Sequence, residues 1–174
     1  MLKIPFIGNV FETIEDNIFS PADYSNYATS IDETVYSNNI GITLKEVICD
    51  GNYIYATFVV ENEEKFPYTS WEQGKELDMN QLITEEKHNK VDFSKSQPYS
   101  DGFAGLEGKF IDEHTFIGVK KYNLGDIKEE IPDEFNFETV IDFVGNSPVN
   151  MSEKDYNISG EWAFNVPIKV NKDL

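Results

Sequence analysis

Among the side chains suited to catalysis or metal binding, the chain of 174 residues has only two histidines and one cysteine, but it has 32 carboxylates. His88 closes the run Glu85-Glu86-Lys87-His88, where a glutamate and a histidine stand three positions apart. On a helix this spacing places both side chains on one face, as in carboxylate-bridged di-iron sites. Such sites need a second motif of this kind and two further carboxylates on helices, and the segment has no clear helical pattern. We therefore interpret it as a solvated polar turn.

The other candidate nucleophiles and ligands lack the partners that their chemistry requires. His114 lies at the tip of a predicted hairpin, where side chains are exposed and polar. Neither histidine belongs to a zinc motif, and Cys49 has no second cysteine with which to share a metal, so we predict that it packs as a small apolar side chain. Ser147 lacks the glycine pattern and the strand-to-helix turn of a nucleophile elbow. The sequence predicts no catalytic residue, no metal ligand and no cofactor, and hence a protein that is not an enzyme.

The carboxylates leave two alternatives open. A suitably spaced pair can hydrolyse glycosidic bonds, and with 32 carboxylates some pair will meet that condition by chance. A hydrolase with an unrecognised pair therefore stays an alternative. Calcium needs oxygen ligands at the spacing of an EF-hand loop, which the sequence lacks. Asp101-Gly102 and the acidic run 129–134 could supply such oxygens, but we interpret them as solvated acidic surface.

An aromatic segment is the remaining candidate for binding. Tyr68 and Trp71 follow Phe66 and Pro67 in a stretch with loop-like composition. A loop rich in aromatic side chains can contact a sugar or a protein partner, or it can fold back and plug one end of a sandwich. Tyr68 and Trp71 are therefore the candidate ligand- or partner-binding residues.

The charge balance excludes several classes of partner. The net charge is −18, and all 14 basic residues are lysines. Such a surface repels phosphate backbones and anionic headgroups, so we predict no binding to nucleic acid. Aromatic residues make up 14% of the chain, which provides a hydrophobic core and argues against intrinsic disorder.

The sequence has no apolar run of about 18 residues and no signal-peptide pattern at its start. We expect the chain as given to be soluble. Its opening would suit either an excised ectodomain or a small cytosolic protein. A single cysteine predicts no disulfide framework and does not decide the compartment.

Residues 1–30 have a helical pattern. Asn9 and Glu12 form a capping-box arrangement before an apolar stripe, and Ser20-Pro21 ends that helix and can begin a second short one. Tyr24 and Tyr27 would share one side of the second helix. The stripe consists of Val10, Phe11, Ile14, Ile18 and Phe19.

From residue 31 the apolar positions alternate, which is typical of half-buried strands. Asp50-Gly51-Asn52 predicts a tight turn between two of them, and Glu113-His114 a second turn. Pro167 stands inside the last strand and predicts either an edge position or an interruption of the ladder at that point. The middle of the chain is ambiguous. The predicted strands are 40–49, 53–60, 77–83, 90–93, 108–112, 115–122, 135–143 and 162–170.

No alternation of strands and helices appears, so a parallel sheet is not expected. Strands at this spacing are typical of sandwiches and barrels. We predict one domain over residues 1–174: a helical lead-in over 1–30, then an antiparallel, immunoglobulin-like β-sandwich over 31–174.

The order of segments in the first third is similar to that of a known family. Ile4 to Phe11 leads into a helix, followed by Tyr27 to Ser30, Asn39 to Leu44, and Val47 to Tyr55. This order resembles an uncharacterised extracytoplasmic domain family of membrane-bound anti-sigma factors in low-GC Gram-positive bacteria. The resemblance extends over about residues 4–62, and the closing segment 160–164 resembles the last strand of such ectodomains.

The resemblance implies a location and a role, but it transfers no catalytic or ligand residue. The domain would lie outside the membrane, after a single transmembrane helix upstream of Ile4. A sigma factor would be held only by a cytoplasmic segment beyond that helix. We therefore expect a sensory or regulatory ectodomain. The alternative is an extracellular module that binds carbohydrate or cell-wall polymer through Tyr68 and Trp71.

Overall fold

Antiparallel strands dominate the computed structural model, which describes residues 24–66, 81–100, 105–145 and 157–174. A single turn of 3-10 helix, Tyr24–Tyr27, precedes the first strand. The predicted helix over residues 10–19 lies outside the described residues. The strands are β1 Thr29–Ser37, β2 Ile40–Cys49, β3 Tyr53–Asn62, β4 Gln81–Val91, β5 Tyr99–Ser100, β6 Gly105–Asp112, β7 Thr115–Asn123, β8 Glu134–Gly145 and β9 Asn157–Lys169.

These strands form one sheet in the order β1-β2-β3-β7-β6-β4-β8-β9, and β5 pairs with β7 beside this path. The two ends of the order lie against each other. The Trp162 indole on β9 donates to the Ile40 carbonyl at 3.0 Å, and the Glu161 amide donates to the Ser37 hydroxyl at 3.2 Å. The sheet therefore curls into a nearly closed barrel, which limits the exposed edges.

The mainly antiparallel β prediction is confirmed. The immunoglobulin-like sandwich is not confirmed, because the described strands follow one hydrogen-bonded path and not two separate facing sheets. Both architectures use short strands with alternating apolar residues, so the sequence pattern does not separate them.

The two predicted hairpins are present. The Asp50 carboxylate accepts from the amides of Asn52 and Tyr53, both at 2.8 Å, and Gly51 adopts a φ of +92°, which glycine tolerates without strain. The same type of side-chain acceptor, Asp112, receives the His114 amide at 2.8 Å between β6 and β7. These short local bonds fix the turns and with them the register of the strands.

The last two long strands also match their predictions. β8 and β9 pair along most of their length, and Pro167 stands opposite Asn136. Among the described strands β9 pairs in a ladder only with β8, so the edge position predicted from Pro167 is confirmed. Cys49 forms an isolated bridge with Val170 just beyond β9.

The polar run 85–88 does not form the solvated turn that the sequence predicted. It lies inside β4, paired with β8, and not in a solvated turn. Irregularities in the register occur between Glu85 and Glu86 and between Glu86 and His88. Successive side chains of a strand point to opposite faces, so Glu86 is largely buried while Glu85 and Lys87 are exposed. The prediction was wrong because it treated every charged residue as solvent-facing.

The barrel interior is apolar and rich in aromatic rings. Phe58 packs edge-on against Phe164 at 5.9 Å between ring centroids, and Tyr122 packs against Phe137 at 4.9 Å. A smaller buried cluster lies on the other face of β2, β3 and β7. Its members are Ile48, Tyr55, Val59, Ile117 and Val119.

Candidate functional site

The most unusual feature of the interior lies where the sheet splits. Among the described residues, β4 pairs with β6 only through Gln81, Leu82 and Ile83, and β7 pairs with β6 only as far as Val119. Beyond these points, residues 84–91 of β4 and 120–123 of β7 have no ladder pairing with each other among the described residues. We call this opening the β4–β7 gap. Buried backbone groups at such a gap need other partners.

A buried ion pair bridges the β4–β7 gap. The Lys120 ammonium lies 2.6 Å from Oε1 of Glu86, with 2% and 10% of the two side chains exposed. Lys120 Nζ also donates to the Thr84 carbonyl at 3.0 Å and to the Thr84 hydroxyl at 2.9 Å. All three ammonium hydrogens thus have an acceptor. Lys120 supplies the Thr84 carbonyl with a donor at a point where the described part of the chain forms no ladder between β4 and β7.

A third element joins this ion pair. The Ser100 hydroxyl on β5 donates to Oε1 of Glu86 at 2.9 Å, and β5 itself pairs with Tyr122 and Asn123 of β7. The four residues Thr84, Glu86, Ser100 and Lys120 are called the polar cluster below. The cluster ties β4, β5 and β7 together through side chains instead of a continuous ladder.

The electrostatics of the polar cluster are those of a closed structural site. Burial lowers the pKa of Lys120, and the Glu86 charge acts in the opposite direction. A lysine with a lowered pKa can act as a nucleophile when a substrate reaches it. Lys120 is buried and engaged at every donor position, so the arrangement holds strands together and does not present a reactive amine.

Tyr122 borders the polar cluster. Its hydroxyl is buried and makes no hydrogen bond of good geometry. Burial raises the pKa of Tyr122 well above its ordinary value, and the charge of nearby Glu86 adds to this effect. The hydroxyl therefore stays protonated.

The sequence pattern did not predict this cluster, although one signal was present. Lys120 stands on β7 between Phe116 and Tyr122, at the same parity as these inward-facing rings, and opposite buried Ala56 on β3. A lysine at an inward position must find a counter-charge. Its partner Glu86 could not be named, because strand order decides which distant segment faces Lys120.

The two histidines take structural positions. His88 Nε2 lies 3.4 Å from a Glu138 oxygen on β8, so its carboxylate neighbour comes from the next strand and not from the Glu-x-x-His motif. His114 Nδ1 lies 3.0 and 3.1 Å from the carbonyls of Asn62 and Glu64. The His114 side chain is half-buried and binds the tip of the β6–β7 hairpin to the end of β3, whereas we expected an exposed tip.

Cys49 packs in the main core, as predicted, with 1% of its surface exposed. Burial raises the pKa of its thiol to about 12. The thiol is therefore protonated at neutral pH and has little nucleophilic character.

Of the remaining candidate site residues, some lie within the described ranges and others do not. Tyr68, Trp71, Asp101-Gly102 and Ser147 lie outside the described residues. The acidic run 129–134 forms a mostly exposed connection before β8, as expected. Within the described ranges, no group of three or more histidine, cysteine or acidic residues is placed to hold a metal ion.

A groove of about 430 Å³ opens where β8 begins and β9 ends. Asp92 and Asn136 share a hydrogen bond of 3.2 Å on its wall. Phe135 supplies the aromatic ring of this lining, and it is only 5% exposed. A sugar-binding site usually offers an exposed ring face, so the groove gives the carbohydrate alternative no support. Its lining residues are Thr29, Asp92, Glu134, Phe135, Asn136, Pro167, Ile168 and Lys169.

Glu61 is another buried carboxylate, and it lies on the other face of the sheet at the end of β3. It is 3% exposed, and neither carboxylate oxygen has a hydrogen-bond partner. Burial raises the pKa of Glu61, and the charge of Asp112 raises it further. The ionised carboxylate therefore destabilises the folded state at neutral pH.

We expect Glu61→Gln to raise the free energy of unfolding at pH 7 by about 1 kcal/mol, because the neutral amide avoids the cost of burying an ionised carboxylate. The folded-state pKa exceeds the unfolded value of 4.5. As pH falls through the folded pKa, the folded state takes up a proton first and the wild type gains stability. The advantage of the variant should therefore vanish below about pH 4.5.

Urea unfolding of both proteins between pH 4 and pH 8 measures this difference. Glu63→Gln, at an exposed position beyond β3, controls for the loss of one negative charge from a chain at −18. An advantage of Glu61→Gln that stays constant with pH would contradict the argument.

Comparison with known proteins places part of the chain in a family context. Residues 1–62 match a family described as a domain of unknown function (DUF4179). The match covers the stretch where the resemblance was predicted, and it confirms similarity to an uncharacterised domain family there. No curated protein matches the chain.

One solved structure is similar over almost the whole chain: "The crystal structure of the conserved domain protein from Bacillus anthracis". The TM-score is 0.64 and the sequence identity 17%, with 95% of this chain and 50% of that chain covered. At this identity the similarity shows the fold alone. The chain spans about half the length of that protein. Within the described residues, no helix has the length and apolar character needed to cross a membrane.

Proposed function

We propose that this chain is a non-enzymatic sensory or regulatory ectodomain of a membrane-anchored protein of the anti-sigma type. The observation that carries the proposal is how the reactive side chains are used. Lys120 and Glu86 neutralise each other, and Cys49 is packed in the core. Both histidines contact groups on neighbouring strands or loops. These groups maintain a conformation and do not converge on a cleft.

The proposed location rests on the resemblance to extracytoplasmic domains over residues 4–62, a stretch that lies within the family match. The match spans residues 1–62, which comprise the N-terminal lead-in and the strands β1, β2 and β3. In the proposal, the lead-in continues from a transmembrane helix, and these three strands are the part of the barrel closest to the membrane. A sigma factor would be bound by a cytoplasmic segment on the far side of that helix.

In this proposal a stimulus acts on the folded state of the domain. A change in its stability or docking would expose the stalk before Ile4 to proteolysis and so release the sigma factor. Domains of this size are stabilised by only about 5–15 kcal/mol, so a ligand or partner of ordinary affinity suffices to shift the balance.

Deletion of residues 24–174 from the complete gene in its host tests the proposal. We expect a reporter for the cognate sigma factor to change its basal level and to lose its response to envelope stress. A full-length protein carrying Ile111→Ala, an exposed position, controls for expression. Unchanged transcription after the deletion, with the remaining protein present in the membrane, would contradict the proposed role.

A further inference from the structure

The segment between β4 and β5 begins beside β8 and ends paired with β7. At its start, the Asp92 amide donates to the Asn136 carbonyl at 3.2 Å, and Phe93 packs edge-on against Phe135 at 5.0 Å. At its end, β5 pairs with β7 through two residues, Tyr99 and Ser100. We call residues 92–100 the strap.

The two ends of the strap are held differently. The start joins β8 through a backbone hydrogen bond and an aromatic contact, both close to the β4–β8 ladder. At the end, β5 forms a two-residue ladder with β7, Pro98 is buried, and the Ser100 hydroxyl donates to Glu86. A ladder of two residues is short, so the Ser100–Glu86 bond adds to the stability at this end.

We propose that the Ser100–Glu86 hydrogen bond is a latch: the strap opens at its β5 end, which breaks this bond and exposes the Lys120–Glu86 pair to water, while the rest of the barrel stays folded. The ladders β4–β8 and β3–β7 do not run through β5 or the gap. Opening therefore breaks the latch and the two β5 pairs and leaves those ladders in place. Sub-global openings of this kind are common where few ladder bonds must break.

The environment of the buried Lys120–Glu86 pair differs sharply between the closed and the open strap. Closed, Lys120 and Glu86 compensate each other at 2.6 Å. Open, water reaches both charges and solvates them, so the open state is not penalised by an unpaired buried charge. An apolar contact of the same area would not be stabilised by water in the open state.

As the starting point of a regulatory opening, the latch deepens the proposed function and rests on it. The opening itself does not depend on that role. It can be measured on the 174-residue chain alone by hydrogen exchange with mass spectrometry, comparing peptides from the strap with peptides from the hairpin 40–62. A negative result in the hydrogen-exchange experiment is therefore distinguishable from a negative result in the transcription experiment.

For the wild type we expect strap peptides to exchange faster than the hairpin, at a rate insensitive to urea below the unfolding transition. Ser100→Ala removes the latch hydrogen bond and should speed strap exchange about 3- to 10-fold. Glu86→Gln leaves the Lys120 charge without its counter-charge and should speed it about 100- to 1,000-fold. Ser100→Ala keeps the test decisive if Glu86→Gln folds poorly.

Two results would overturn the proposal. Strap exchange that follows urea with the same slope as the hairpin would mean that the strap opens only in global unfolding. Strap exchange unchanged in Ser100→Ala, while that variant remains folded, would mean that the latch bond survives the opening.

Discussion

Replacing Trp162 by alanine is expected to lower the free energy of unfolding by about 3–5 kcal/mol, the usual cost of deleting a large buried aromatic ring. Trp162 is fully buried and lies on β9, at one end of the sheet order. Its indole donates to the Ile40 carbonyl on β2 at 3.0 Å. The side chain therefore fills the core and also joins β9 to β2, two strands that share no ladder within the described residues.

Urea unfolding followed by far-ultraviolet circular dichroism measures this loss. Trp162→Phe keeps most of the ring but loses the donor to Ile40, so it should cost less than the alanine variant and more than a surface change. Ile111→Ala, at an exposed position, should stay within about 0.5 kcal/mol of the wild type. A loss below about 1 kcal/mol in Trp162→Ala would show that β9 closes the barrel by other contacts.

Local sequence patterns predicted the hairpins because their causes are local. The Asp50-Gly51 turn follows from a side-chain acceptor two and three residues before its donors and from a glycine with positive φ. The alternation in β8 and β9 likewise reflects one buried face. Such signals lie within about ten residues, where sequence reasoning is strongest.

β1 was not predicted, and β4 was predicted only towards its two ends, for a different physical reason. β1 is mostly polar and partly exposed, and its ladder pairing among the described strands is with β2, so burial leaves little pattern in its sequence. β4 carries the charged run 85–88, which reads as solvated until Lys120 is placed opposite Glu86. Charges on an inward face are understood only when their long-range partner is known.

The same limit applies to the architecture and to the candidate site. The choice between a sandwich and a nearly closed barrel depends on strand order, which is set by contacts between distant segments. Ser100, Glu86 and Lys120 come from three strands, and only their order in the sheet brings them together. Lys120 at an inward position was the one local sign that a polar cluster had to exist.

The second large effect is expected from Lys120→Met, which should lower the free energy of unfolding by about 3–5 kcal/mol, as is usual when one partner of a buried pair is removed. Met fits the volume of the lysine stem, so packing changes little. The cost arises because Glu86, whose side chain is 10% exposed, loses its counter-charge. The Thr84 carbonyl also loses the ammonium donor.

Two further variants separate charge from packing. In Lys120→Met/Glu86→Leu both charges are replaced together, so most of the lost stability should return, and a stability above the wild type would agree with the cost of burying ions.

Lys121→Met removes a lysine from the opposite face of β7, where Nζ lies 3.9 Å above the centre of the Tyr53 ring. It should cost about 0.5–1 kcal/mol. If Lys120→Met cost no more than Lys121→Met in urea unfolding at pH 7, Glu86 would not depend on its lysine. The β4–β7 gap would then be held closed by the two pairs of β5 and by apolar packing, as between Tyr122 and Phe137.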